Sequence, residues 1–225
     1  KDRFAVTEQW FAVHLPGKQT YDLSDLAIDG VEILSWQRHN KKLRTGALSG
    51  NRFVITLRNV SDITQLQQRW QVVTAHGVPN YFGEQRFGID GKNIENALAM
   101  FSGKKVRDKK KRSIYLSAAR SLIFNQCVSA RIEQNTFNSP MAGDVMMLSG
   151  SQSIFVPEKI DDEIQQRFTS HDIDITCPMW GRGQLPTSEE VLAMEESIGS
   201  RNIELAEGLE RAGLKQERRR ARLLA

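Results

Sequence analysis

The residues with the clearest chemical potential stand at the start of the sequence. Asp2 lies between two cations in Lys1-Asp2-Arg3-Phe4-Ala5-Val6-Thr7-Glu8-Gln9-Trp10. Neighbouring cations favour the ionised carboxylate and lower its pKa, and an ionised carboxylate can act as nucleophile or base. On charge alone the same residues describe a solvated acid near a chain end, the usual fate of a short charge cluster. Asn51 follows Gly50. Its amide has donors and an acceptor suited to a base edge or a ribose, and it serves equally as a turn residue. Phe53 shares a strand face with Ile55 and Leu57, where an aromatic either packs a core or stacks on a base.

A second kind of chemistry is electrostatic. Between Arg86 and Arg120 stand ten Lys/Arg against three acids, a local net charge of +7. Lys104, Lys105, Arg107, Lys109, Lys110, Lys111 and Arg112 form its centre, and Arg86 lies among aromatics and glycines in Pro79-Asn80-Tyr81-Phe82-Gly83-Glu84-Gln85-Arg86-Phe87-Gly88. Such a stretch either faces a polyanion or is a solvated charge run on a loop. Arg38, Lys41, Lys42 and Arg44 form a second candidate, and Arg218, Arg219, Arg220 and Arg222 a third. The third also reads as the last turn of a helix, where cations suit the macrodipole.

The bulk properties remove other classes. The chain has 225 residues and a net charge of +4, room for one or two domains with a sizeable core. Cys127 and Cys177 are too few for a disulfide framework. They and the dispersed His14, His39, His76 and His171 show no metal-ligand spacing, so no metal is expected. No apolar run approaches a membrane span and no signal-peptide pattern opens the chain, so no membrane partner is expected and a reducing, cytoplasmic setting fits best. Gly181-Arg182-Gly183 lacks the strand and helix context of a nucleotide-binding loop.

These residues need elements to position them. Strand formers occupy 9–14, 31–36 and 52–58, the last with clean alternation. A helix is expected over 62–75, capped by Ser61 or Asp62, before a breaking run at 77–83. Behind it come helices over 93–101 and 113–134, the latter starting at Ser113 just after the basic loop. A strand follows at 144–148 and an apolar patch at 154–156, separated by Ser/Gly-rich turns, then a helix over 158–168. Thr187-Ser188-Glu189-Glu190 reads as a capping box opening a helical stretch, with breaks near Gly199 and Gly213, that runs to the Arg-rich end. A strand-rich front and a helix-rich back make the expected class α+β, in two domains divided at 76/77.

Four ordered motifs carry a resemblance. The first is the decapeptide at the start, in which Lys1, Asp2, Ala5, Val6, Thr7 and Gln9 fit a K-D-x-x-A-V-T-x-Q pattern. The second holds Leu43, Arg44, Gly46, Leu48, Gly50, Asn51 and Phe53, and the third is Gly77 to Gly88. The fourth is Ser117-Ala118-Ala119-Arg120-Ser121 with Phe124-Asn125. Together they resemble the tRNA pseudouridine synthase D family over essentially the whole chain.

The resemblance implies an isomerase that converts a tRNA uridine, typically at position 13, into pseudouridine, with no metal and no organic cofactor. It implies Asp2 as nucleophile, Asn51 and Phe53 in the substrate pocket, and a uridine flipped out of its stack to reach them. Residues 1–76 would be part of a catalytic domain with a mixed sheet, and 77–225 the family's inserted domain. The partner would be tRNA, and a monomer is the simplest assembly. The family has further segments on both sides, so the chain, beginning at Lys1, reads as an interior piece of a longer enzyme. Its rival readings are a non-catalytic tRNA-binding module and an inactive fragment.

Overall fold

The computed structural model describes residues 5–17, 22–23, 26–44 and 52–224. They fall into two compact units, Lys1–Asn59 and Val60–Ala225. Asp2 and Asn51 lie outside the described residues.

Among the described residues of the first unit, the only β-bridge is an isolated one between Ile28 and Val31 across a tight turn. The strands expected at 9–14, 31–36 and 52–58 are not formed there. Alternation tells which face of a strand can be buried, but a ladder also needs a neighbouring backbone and a cover for that face. Among the described residues neither is present: Phe53, Ile55 and Leu57 are exposed, Phe53 by 79%. The expected half-buried setting of Phe53 is therefore corrected to an exposed one.

The second unit opens with α1 (Ile63–His76), capped by the Asp62 carboxylate accepting from Gln65 N at 2.9 Å. It follows the expected range closely, because a cap and an apolar period are both local signals. Strand β1 (Val78–Pro79) follows, then α2 (Lys92–Phe101) and the 25-residue α3 (Lys109–Glu133). A hairpin of β2 (Met146–Leu148) and β3 (Ile154–Phe155) leads to α4 (Asp162–Thr169) and β4 (Ile173–Met179). The chain closes with α5 (Glu189–Arg201), α6 (Ile203–Arg211), β5 (Glu217–Arg220) and β6 (Arg222–Leu223).

The architecture is α+β. The antiparallel sheet runs β3-β2-β4-β5, and β1 pairs antiparallel with β6, which joins the start of this unit to its end. Helix α3 packs against β4, α2, α5 and α6. Its Ala119, Ile123, Phe124, Cys127 and Val128 meet Met146, Ile175, Cys177, Ile198 and Leu209 in the core. Burial pushes the Cys177 thiol up to about 12, and Cys127 is likewise raised, so both behave as apolar core groups rather than nucleophiles.

Three local readings change. The helix holding the fourth motif starts at Lys109, not Ser113, because the Asp108 carboxylate accepts from Lys110 N and Lys111 N and caps it there. The expected capping box is not made: Ser188 gives no side-chain cap, and the Thr187 hydroxyl donates to buried Glu195 at 2.9 Å. Gly199 does not break its helix. A Cβ there would sit 2.2 Å from Cη2 of Trp180, so the missing side chain is a notch for the indole, and the break comes just beyond, at Asn202.

The Arg-rich end is the largest change. It is strand, not helix, because β4 is a buried strand whose free edge it completes, with Thr176 opposite Arg220 and Cys177 opposite Arg219. Buried carboxylates fix two of its arginines. Arg218 Nη2 lies 2.8 Å from Glu195 Oε1, and Arg222 Nε 2.8 Å from Asp174 Oδ1. A third buried pair, Arg131 with Asp144 at 2.7 Å, ties the end of α3 to the segment before β2.

Asp174 yields a pH prediction. Burial outweighs the attraction of Arg222 and raises its carboxyl to about 6, while Oδ2 is buried with no hydrogen-bond partner. The folded state then holds this proton more tightly than the unfolded chain. Its contribution to stability is full below pH 4 and is lost as pH rises through about 6. Denaturation midpoints of wild type and Asp174→Asn, compared from pH 4 to 7, should show this loss in wild type only, up to about 3 kcal/mol. Equal slopes for the two proteins would refute it.

Candidate nucleic-acid interface

Helix α3 carries two layers of function. Its first turn is Lys109, Lys110, Lys111 and Arg112, all exposed, and Lys104, Lys105 and Arg107 precede it on an exposed turn. No ion pair among the described residues involves any of the seven. Cations at a helix N-terminus face the positive end of the macrodipole, which disfavours them by a few tenths of a kcal/mol or more each. The placement therefore weakens the helix. It produces a strong positive potential instead, as a polyanion partner would need.

Two turns further on, α3 organises the third and fourth motifs into one assembly. Asn125 binds the backbone of Phe82 both ways: its Nδ2 donates to Phe82 O and its Oδ1 accepts from Phe82 N, each at 2.9 Å. The Phe82 ring meets Phe124 edge-on at 5.6 Å. Arg86 Nη1 donates to Ser117 Oγ at 3.0 Å, and its guanidinium lies over Phe82 at 5.2 Å from the centroid. Asn80, nearly buried, donates to Arg220 O at 2.9 Å and accepts from Arg219 Nη2 at 2.6 Å. The aromatics of the third motif thus serve packing at Phe82, while Tyr81 stays exposed with its hydroxyl 3.0 Å from Ser129 Oγ.

The structure brings some candidates together within one unit. Arg86 and the seven cations from Lys104 to Arg112 flank one helix of the second unit. Phe53, with exposed Arg38, Lys41, Lys42 and Arg44, belongs to the first. Arg120, counted in the basic stretch, is committed elsewhere. It pairs with Glu217 at 3.0 Å and donates to Met179 O at 2.6 Å and Lys215 O at 2.9 Å. Three of the C-terminal arginines are also withdrawn as a solvated cationic cluster, because Arg218 and Arg222 are buried in ion pairs and Arg220 donates to Leu148 O, which leaves Arg219 without a carboxylate among the described residues. Sequence reasoning missed Ser117 and Arg219 as partners of the third motif. Their only trace was membership of the fourth motif and of the arginine run, since the contacts span 31 and 139 residues. Among the described residues no group of His, Cys, Asp and Glu could hold a metal ion, and no helix is long and apolar enough to cross a membrane.

Comparison with known proteins gives concordant results. The family model for tRNA pseudouridine synthase D matches residues 1–100 and 90–217. The chain is 61% identical to tRNA pseudouridine synthase D of Colwellia psychrerythraea over 223 residues, 99% of this chain and 61% of that protein. It is 50% identical to the protein of the same name from Aeromonas hydrophila, over 97% of this chain and 62% of that one. The chain thus spans about three fifths of the length of these curated relatives. A crystal structure of a Methanosarcina mazei protein assigned to tRNA pseudouridine synthase D superposes with a TM-score of 0.55 at 16% identity. It covers 75% of this chain and 58% of that one, which supports the fold.

Proposed function

The chain belongs to the tRNA pseudouridine synthase D family, and on that footing we propose that it acts in converting a tRNA uridine, at position 13, into pseudouridine. The reaction is an isomerisation. The bond from the ribose anomeric carbon to N1 breaks, a bond to C5 forms, C5 gives up a proton and N1 gains one. Asp2 is the nucleophile, and Asn51 and Phe53 line the pocket for the flipped-out uridine. Residues 1–76 are part of the catalytic domain and 77–225 the inserted domain. The protein's own groups suffice, without metal or cofactor, and the setting is the cytoplasm.

The observation that carries tRNA as partner is the unpaired cationic first turn of α3 with the turn before it. Phosphate contacts of this kind supply affinity and orientation, whereas the pocket and the shape of the tRNA supply the choice of site. The test of the whole reading is pseudouridine mapping in tRNA incubated with and without the active protein. Modification at position 13 supports it, and unchanged tRNA refutes it.

The interface has its own prediction. Replacing Lys109, Lys110, Lys111 and Arg112 together by Ala should weaken tRNA binding by roughly ten- to a hundredfold, with a salt dependence shallower by about one to three phosphate contacts. The same change should leave the melting temperature equal or slightly higher, because it removes cations from the positive end of a helix. Binding titrations across a salt series check the first part, and calorimetry the second. Undiminished affinity would remove these residues from the interface.

A further inference from the structure

Arg86 is held differently from the lysines near it. Its Nη1 is fixed on Ser117 Oγ and its guanidinium over Phe82. Arg219 lies over the same ring at 4.1 Å, and over Phe124 at 5.4 Å. Two guanidinium groups therefore share one aromatic ring. Arg120, Arg131, Arg218 and Arg222 each face a carboxylate. Among the described residues neither Arg86 nor Arg219 has one within 4.0 Å. Ring faces attract cations, but two cations on one ring still repel each other. Burial, then the charge of Arg86, holds Arg219 below its usual value, and its Nε is buried without a hydrogen-bond partner. An anion at this place would relieve the repulsion. Arg86 is exposed, so its remaining N–H groups can reach one from solvent.

We propose that Arg86 and Arg219, sharing Phe82, form a preorganised clamp for one backbone phosphate of the tRNA, with Ser117 as the positioning residue that aims the Arg86 fork. The clamp deepens the tRNA reading above and rests on it. Its chemistry suits a phosphodiester: a planar fork matches two phosphate oxygens, and a fork already fixed by Ser117 and Phe82 loses little freedom on binding. Its location suits the same partner. Ser117 stands seven residues after Lys110, two turns on and about 10 Å along the axis of α3, so the clamp continues the line of cations at the helix start. The lysines there are mobile point charges that give affinity to any polyanion. The clamp fixes one phosphate at one place and so sets the register of the tRNA on the helix.

The test is tRNA affinity of the full chain across a salt series, for wild type, Arg86→Lys, Arg86→Ala, Ser117→Ala and the Arg86→Ala/Ser117→Ala double variant, with thermal melting as a control for folding. Arg86→Lys keeps the charge, so the salt slope should stay, while loss of the fork weakens binding about five- to tenfold. Ser117→Ala should weaken it about threefold or more, and should have no further effect in the Arg86→Ala background, since its role passes through Arg86. If Arg86→Lys binds as wild type does, or if the Ser117 and Arg86 effects add, the clamp is refuted. The lysine and Ser117 variants keep that judgement possible even if Arg86→Ala unfolds. A wild-type chain that binds no tRNA would overturn the tRNA reading itself and the clamp with it. Binding that ignores Arg86→Lys overturns the clamp alone.

Discussion

Asp2→Asn should abolish pseudouridine formation in the active protein while tRNA binding persists. The amide matches the carboxylate in size and keeps its acceptor oxygen, but it carries no charge and cannot serve as a nucleophile at neutral pH. Removing a nucleophile of this kind costs at least about a thousandfold in turnover. The charges of the flanking Lys1 and Arg3 stay in place, so affinity for a polyanion should hold or rise slightly. Two measurements check it: pseudouridine yield per tRNA at single turnover, and the dissociation constant of the variant. Normal turnover would remove Asp2 from the mechanism. Loss of binding together with loss of turnover would mean that the substitution disturbed the RNA surface, and the nucleophile assignment would fall.

The largest effect on stability should come from Glu195→Ala. Glu195 on α5 has no exposed surface, and its carboxylate accepts from Arg218 Nη1 at 2.9 Å, from Arg218 Nη2 at 2.8 Å and from Thr187 Oγ1 at 2.9 Å. Arg218 in turn donates from Nε to Thr176 Oγ1 at 2.9 Å and from Nη2 to Thr176 O at 2.8 Å, which fastens β5 to β4. A carboxylate removed from this network leaves a buried guanidinium without its counter-charge, a change that costs about 3–5 kcal/mol. Unfolding by urea should show a stability loss of that size, read as a lower midpoint at an unchanged slope of the transition. The salt slope of tRNA binding should not move while the protein stays folded, because Arg218 is spent on the fold and not on phosphate. A change in that slope would restore Arg218 to the RNA surface. A loss below about 1 kcal/mol would mean the pair adds little to a sheet held by other contacts.

How far the sequence carried depends on the range of each interaction. Helix α1 with its Asp62 cap and strand β2 are legible because caps, periods and turns act within a few residues, whereas the pairing of β2 with β3 appears only in the fold. The start of α3 differs from the expected Ser113 although its cap, Asp108, is equally local. Four consecutive cations suggested a loop, and the carboxylate just before them outweighed that suggestion. Strand β4 is not legible in the sequence. Its Ile173, Ile175 and Thr176 favour a strand, but Pro178 and the glycines after it masked the pattern. Of the candidate site, the basic stretch and Arg86 were visible as composition. Nothing local showed that Arg219 would join Arg86 on one ring, or that Arg218 and Arg222 would be withdrawn into the interior.

Family membership is legible in residue order alone, since four ordered motifs need no tertiary contact. The basic stretch is equally plain, because charge is additive along a chain. The α+β class holds, but its sheet lies in the second unit rather than in the strand-rich front. The tertiary structure alone decided which charges are available. A cation's fate depends on its counter-charge, and for the arginines of β5 and β6 those counter-charges, Glu195 and Asp174, lie 23 and 48 residues away. Burial made those pairs structural by removing the water that would otherwise screen and solvate them. Without water, a buried guanidinium must have its carboxylate, whereas Lys109 to Arg112, left in solvent, remain available to a polyanion.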